Sequence, residues 1–97
     1  MKKNPILSII IPTKNRAAYA KHAILNVLKI NDIRLELVVQ DNSDDEKLSD
    51  WIKKNIDDSR LIYNQSKEKL SFISNFNKAI DLSNGIYVCI IGDDDGI

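Results

Sequence analysis

The chain predicts an α/β fold: a mostly parallel sheet with helices on both faces. Three observations lead there. Its apolar runs, such as Ile9-Ile10-Ile11 and Leu37-Val38-Val39, are rich in β-branched residues and nearly continuous, the pattern of strands covered on both sides. Between them lie longer stretches whose apolar residues recur at helical spacing. Each such stretch is long enough to carry the chain back across the sheet, so that successive strands run the same way. The expected order is β-α-β-α-β-α-β.

Residues 6–11 read as the first strand, and Pro12 is expected to end it because proline has no N–H for the ladder. Thr13-Lys14-Asn15-Arg16 then forms a polar loop. Across residues 17–30, Ala20, Ile24, Val27 and Leu28 recur at i, i+4, i+7 and i+8, one face of an amphipathic helix that leaves His22 outside. Residues 35–40 form the second strand, followed by Asp41-Asn42-Ser43. Ser43-Asp44-Asp45-Glu46 matches a capping box, in which the serine caps the next helix and Glu46 reaches back; that would leave Asp41 free for a ligand. This helix turns Leu48, Trp51 and Ile52 inward, and residues 60–63 make a short third strand. A third helix follows, with Phe72, Ile73, Phe76, Ala79 and Ile80 as its core side. Ser83-Asn84-Gly85 stops it, Gly85 being suited to the left-handed residue after a helix. Residues 86–91, the fourth strand, run straight into Gly92-Asp93-Asp94-Asp95. Cys89 inside that strand is expected to be buried and inert.

Composition narrows the function. The 97 residues suffice for one small domain. Fourteen basic and fourteen acidic residues cancel, so no global field favours nucleic acid or an anionic membrane, and nucleic acid is not expected as a partner. A hydrophobic content of 43% is that of a folded globular chain. The single cysteine excludes an internal disulfide and fits a reducing cytoplasm. The apolar run at 6–11 is too short for a signal-peptide core or a membrane span. One histidine leaves no credible Ser/His/Asp or Cys/His set, and neither G-x-G-x-x-G nor G-x-x-x-x-G-K-[ST] occurs.

In a parallel sheet the carboxyl ends of the strands share one rim, and ligands bind in the crevice beyond it. Three polar clusters converge there: residues 13–16 after the first strand, Asp41-Asn42-Ser43 after the second, and Asp93-Asp94-Asp95 after the fourth. Adjacent carboxylates repel one another, and a hard divalent cation would offset them, often with a phosphate on its far side. Arg16 stands where a helix opens, an unfavourable place for a cation against the helix dipole, which hints at an anionic partner. A helix–loop–helix calcium loop would need alternating ligands and a downstream glutamate, and neither is present. A phosphoacceptor pocket would need an acidic pair after the first strand, where Thr13-Lys14-Asn15 stand instead.

Four segments in register resemble family-2 glycosyltransferases, across essentially the whole chain. They are Ile9-Ile10-Ile11-Pro12-Thr13-Lys14-Asn15-Arg16, Val38-Val39-Gln40-Asp41-Asn42-Ser43, Asn75-Phe76-Asn77-Lys78-Ala79-Ile80 with Gly85-Ile86-Tyr87-Val88, and Gly92-Asp93-Asp94-Asp95. The resemblance implies the Rossmann-like, nucleotide-binding half of a GT-A fold, with residues 1–97 forming a single, N-terminal part of the domain. By position it implies that Pro12, Thr13, Asn15 and Arg16 flank the nucleotide and that Asp41 hydrogen-bonds the base. Asp94 would be the main ligand for manganese or magnesium, with Asp93 and Asp95 supporting it or the ribose. Gly92 stands where the commonest form of the motif has an aspartate, and Asn42 replaces an aspartate found in many relatives.

The implied activity is inverting transfer of a sugar from a nucleoside-diphosphate donor, a UDP-sugar foremost, to a glycan or lipid-linked acceptor in polysaccharide or cell-envelope assembly. The implied location is cytoplasmic, including the inner face of the membrane as a peripheral site. The catalytic base is expected downstream, none is assigned within this chain, and the isolated 97 residues are expected to be inactive. The alternative is a non-catalytic nucleotide-binding or truncated module. The open sheet edge beside the fourth strand is expected to favour self-association.

Overall fold

A computed structural model describes residues 5–92. The expected elements form in the expected order: β1 (Leu7–Thr13), α1 (Ala17–Leu28), β2 (Leu35–Asp41), α2 (Lys47–Asn55), β3 (Leu61–Gln65), α3 (Phe72–Leu82) and β4 (Tyr87–Ile90). The strands are parallel neighbours in the order β3-β2-β1-β4. Asp93, Asp94 and Asp95 lie outside the described residues. Among the described residues, no helix is long and apolar enough to cross a membrane.

Alternation along the strands divides the core in two. Ile9, Ile11, Leu35, Leu37 and Val39 face Ala20, Ala23, Ile24 and Val27 of α1 and Leu48 and Ile52 of α2. On the opposite face Ile10 and Val38 meet Ala79 of α3, with Phe76, Leu82 and Ile62 packed around them. Right-handed crossovers require this arrangement. Moving from β1 to β2 to β3 keeps α1 and α2 on one face, whereas the return past β2 and β1 to β4 puts α3 on the other. The direction of winding therefore reverses between β1 and β4, and a crevice opens at their carboxyl ends.

Several local expectations are corrected. Pro12 does not end β1: the strand continues to Thr13, paired Pro12↔Gln40 and Thr13↔Asp41 with β2. The Thr13 carbonyl accepts from the Asn42 N–H on the β2 side, so alternation turns Pro12 toward β4. There the Ile91 N–H donates to the Ile10 carbonyl, and Pro12, with no N–H to offer the Ile91 carbonyl, ends the β1–β4 ladder while the β1–β2 ladder runs on.

On α3, Phe72 and Ile73 are 77% and 67% exposed, and the inward stripe is instead Asn75, Phe76, Ala79 and Leu82. Cys89 is exposed, because all four residues of β4 are open on both faces of this edge strand. Gly85 does not have a positive φ. A Cβ there would lie 2.6 Å from both the N and the Oγ of Ser8, so the position needs glycine for close approach rather than for handedness.

That approach belongs to a buried polar network at the amino end of the sheet. Ser8 Oγ donates to Glu36 at 2.6 Å and accepts from the Gly85 N–H at 2.8 Å. The two carboxylate oxygens of Glu36 also accept from the backbone N–H and the side-chain Nδ2 of Asn84, each at 2.8 Å. Ser8 and both Glu36 oxygens are thus satisfied, which is what a buried carboxylate requires. At the same end, Arg60 donates to the carbonyls of Leu28, Ile30 and Asp32 while pairing with Asp58, placing a cation on the last turn of α1.

Candidate functional site

The β1–α1 and β2–α2 loops are joined by Asn15. Its φ of 53° places it in the left-handed region, which asparagine tolerates better than most residues. That conformation aims its N–H at Ser43 Oγ, 2.7 Å away. Its carboxamide also pairs reciprocally with Asp44: Nδ2 donates to Oδ2 at 3.0 Å, and Oδ1 accepts the Asp44 N–H at 2.9 Å. Ser43 is therefore occupied by the neighbouring loop. The expected capping box does not form: α2 starts at Lys47 behind Glu46, with no side-chain cap, and Glu46 instead pairs with Lys67.

Nor is Asp41 left free by its neighbour. It is fully buried, with Oδ1 accepting the Ser43 N–H at 2.9 Å and Oδ2 accepting the Tyr63 hydroxyl at 2.7 Å. Burial, reinforced by the adjacent carboxylate, pushes the Tyr63 hydroxyl far above its ordinary value, so it remains a donor to Asp41. Sequence reasoning missed this partner. The signal available was a tyrosine on the strand next to Asp41, two positions short of its register partner Gln65.

Asn42 closes the third side. It is 3% exposed; its Nδ2 donates to the carbonyls of Ser66 and Glu68 at 2.9 and 2.7 Å, and its Oδ1 accepts the Leu70 N–H at 3.0 Å. A carboxylate could not make the two donations, so asparagine is the residue this clasp needs. The clasp sets the loop that delivers α3, which Ser71 caps by accepting the Ser74 N–H at 3.1 Å.

These loops enclose a pocket of about 380 Å³ at the β1/β4 switch. Pro12, Thr13, Lys14 and Arg16 line it from the first strand end, Asn42 from the second, Leu70 to Phe72 and Asn75 from the start of α3, and Gly92 from beyond β4. Of the sequence-predicted residues, Pro12, Thr13 and Arg16 thus meet in one pocket. Asn15 and Asp41 do not line it: Asn15 fastens the loop between Lys14 and Arg16, and Asp41 is buried opposite Thr13 in the sheet; the aspartate triplet begins at the residue after Gly92. Arg16 also stacks on the Tyr19 ring, 4.8 Å from its centre. Among the described residues, no cluster of three His, Cys, Asp or Glu side chains is placed to hold a metal.

Asn75 was named in a motif but given no role. It is 6% exposed, its Nδ2 donates to the Thr13 carbonyl at 3.3 Å, and its Oδ1 is buried with no partner among the described residues. Its position four residues before Ala79 and seven before Leu82, on the buried stripe, was the sequence signal.

Comparison with known proteins gives a consistent picture. The sequence model described as Glycosyl transferase family 2 matches residues 8–97. A protein of Escherichia coli (strain K12) named as a colanic acid biosynthesis glycosyl transferase, WcaA, is 33% identical over 97 residues, covering 98% of this chain and 34% of its own length. The GalNAc(5)-diNAcBac-PP-undecaprenol beta-1,3-glucosyltransferase of Campylobacter jejuni is 35% identical over 94 residues, covering 94% of this chain and 30% of its own. Among solved structures, the mannosyltransferase PcManGT from Pyrobaculum calidifontis, in complex with GDP-Man and Mn2+, superposes with a TM-score of 0.76 at 24% identity. That match covers 95% of this chain and 28% of the other. The chain spans about a third of the length of these relatives.

Proposed function

Because the chain belongs to glycosyl transferase family 2, we propose that its carboxyl rim is the donor site of a sugar-transferring enzyme, binding the nucleoside diphosphate of an activated sugar. The observation that carries this reading is the pocket at the β1/β4 switch, where loops from β1, β2, α3 and β4 converge on one crevice. The GDP-Man and Mn2+ held by the structural neighbour support it.

In this reading Pro12, Thr13 and Asn15 shape the wall against the nucleoside, and Arg16 faces the phosphates. Asp41 has two of its roughly four acceptor positions filled, which leaves capacity for an N–H of the base. Asp93, Asp94 and Asp95, directly after Gly92, offer an oxygen-only donor set suited to manganese or magnesium, with Asp94 the principal ligand. Such a cation would offset the charge of the departing diphosphate as the sugar transfers. The acceptor is a glycan or lipid-linked saccharide of polysaccharide or cell-envelope assembly, in keeping with the names of both relatives. Transfer with inversion needs a general base at the acceptor hydroxyl, and no residue of 1–97 is assigned to it. The uncovered β4 edge is a surface through which isolated chains would self-associate.

Calorimetric titration of UDP and GDP, with Mn2+ and then with excess chelator, tests the donor site. Binding that needs the metal and disappears in Asp94→Ala is expected. A folded, monodisperse chain that binds neither nucleotide would overturn the proposal.

A further inference from the structure

We propose that Asn75 is a specificity-determining residue of this pocket, its carboxamide oxygen accepting a hydrogen bond from a ribose hydroxyl of the bound nucleotide and so selecting ribonucleotides over deoxyribonucleotides. The proposal rests on the donor-site reading above and goes beyond it by naming the group that is read. Three observations carry it. Asn75 is more than nine-tenths buried, yet among the described residues its Oδ1 has no hydrogen-bond partner. Such an orphan is uncommon and is costly unless a ligand completes it. Its orientation is also fixed: Nδ2 donates to the Thr13 carbonyl, and a flipped amide would set oxygen against oxygen.

The third observation is location. Asn75 lines the pocket beside Thr13, Arg16 and Gly92, where β1 and β4 diverge. Of the other polar groups there, the Ser71 hydroxyl is engaged with Ser74, and the Thr13 hydroxyl, unlike an amide oxygen, can donate as well as accept. Asn42 has its side chain committed to Ser66, Glu68 and Leu70. Arg16 and Lys14 are donors suited to phosphate oxygens and have no acceptor to offer. A ligand hydroxyl seated against Asn75 supplies the donor that the protein lacks, and ribose is the part of a nucleoside diphosphate that carries hydroxyl donors. Leucine has the same branched outline, in bulkier atoms, without the orphan, so the amide is a poor choice on packing grounds alone.

The test compares UDP and GDP with their 2′-deoxy and 3′-deoxy counterparts, by calorimetry with Mn2+, on the wild-type chain and on Asn75→Leu. The wild type is expected to bind one deoxy analogue roughly tenfold more weakly than the parent nucleotide. Asn75→Leu is expected to bind the parent nucleotide that much more weakly, to lose the discrimination, and to melt no lower than wild type. If wild type binds all three forms equally, or Asn75→Leu keeps the preference, the assignment is wrong while the donor site stands. If wild type binds no nucleotide, both fail together. Should Asn75→Leu not fold, the wild-type comparison still decides, and Asn75→Ala repeats the variant arm.

Discussion

Asn15 and Ser43 show how one hydrogen bond can move a residue's role from one element to another. A capping serine would lose about 1 kcal/mol of α2 stability on truncation. Here Ser43 Oγ instead holds the Asn15 N–H, so Ser43→Ala is expected to deprotect the Asn15 amide in hydrogen exchange and leave the first turn of α2 unchanged. Deprotection confined to residues 46–49 would restore the capping reading. Asn15→Ala removes two side-chain bonds to Asp44 and forces a Cβ-bearing residue without Asn's local bonding into the left-handed region, a cost of about 1–2 kcal/mol for the backbone alone. Gly85→Ala is a different failure, since the new Cβ meets backbone as well as side-chain atoms of Ser8 that cannot simply rotate away. Its expected cost is about 1–3 kcal/mol, read as a lower denaturant midpoint.

At the scale of elements, α1 depends on a residue far outside it. The Arg60 guanidinium holds the carbonyls of Leu28, Ile30 and Asp32, so Arg60→Ala is expected to destabilise the chain by about 2 kcal/mol. Arg60 also holds the Asp58 carboxyl below its usual range, chiefly through side-chain hydrogen bonds, as Arg34 holds Asp32 down to about 2. A carboxyl depressed in the folded state gives stability that is complete above its unfolded value and is lost as pH falls through the folded one. The denaturant midpoint of wild type should therefore fall between pH 3.8 and about 2, and fall less steeply in Arg60→Ala. A parallel acid limb in the variant would contradict this.

β4 is the opposite case, an element with little cover. Cys89 on it is expected to react with a thiol reagent in the folded chain at a rate approaching that of the denatured chain.

The whole molecule explains which parts of the fold and site could be seen in the residues. Element order and the parallel sheet with helices on both faces were accessible because continuous β-branched runs separated by helical spacing admit few topologies, and three polar clusters then had to fall on one rim. What escaped were facts of neighbourhood. Pro12 continues a strand because its ladder is one-sided there; Phe72 and Cys89 lie open because composition reports apolarity and not cover. The Tyr63 partner of Asp41 and the partners of Asn42 are on β3 and the loop after it, more than 20 residues away, so no local pattern showed them. A nucleotide in the proposed donor site would add its contacts to loops already tied by Asn15, Asn42 and Asn75. Nucleotide with Mn2+ at a hundredfold over its dissociation constant should raise stability by about 2.7 kcal/mol, measurable as a higher melting temperature that Asp94→Ala does not show.

The Ser8–Gly85 contact also bears on the order in which the chain assembles. It closes a loop of 77 residues, whereas β1, α1, β2 and α2 meet through much shorter separations. Closing so long a loop is entropically worthwhile only once the rest of the sheet exists to receive β4. Docking of β4 then falls after the rate-limiting barrier, and Gly85→Ala should hasten unfolding while the refolding rate stays near that of wild type.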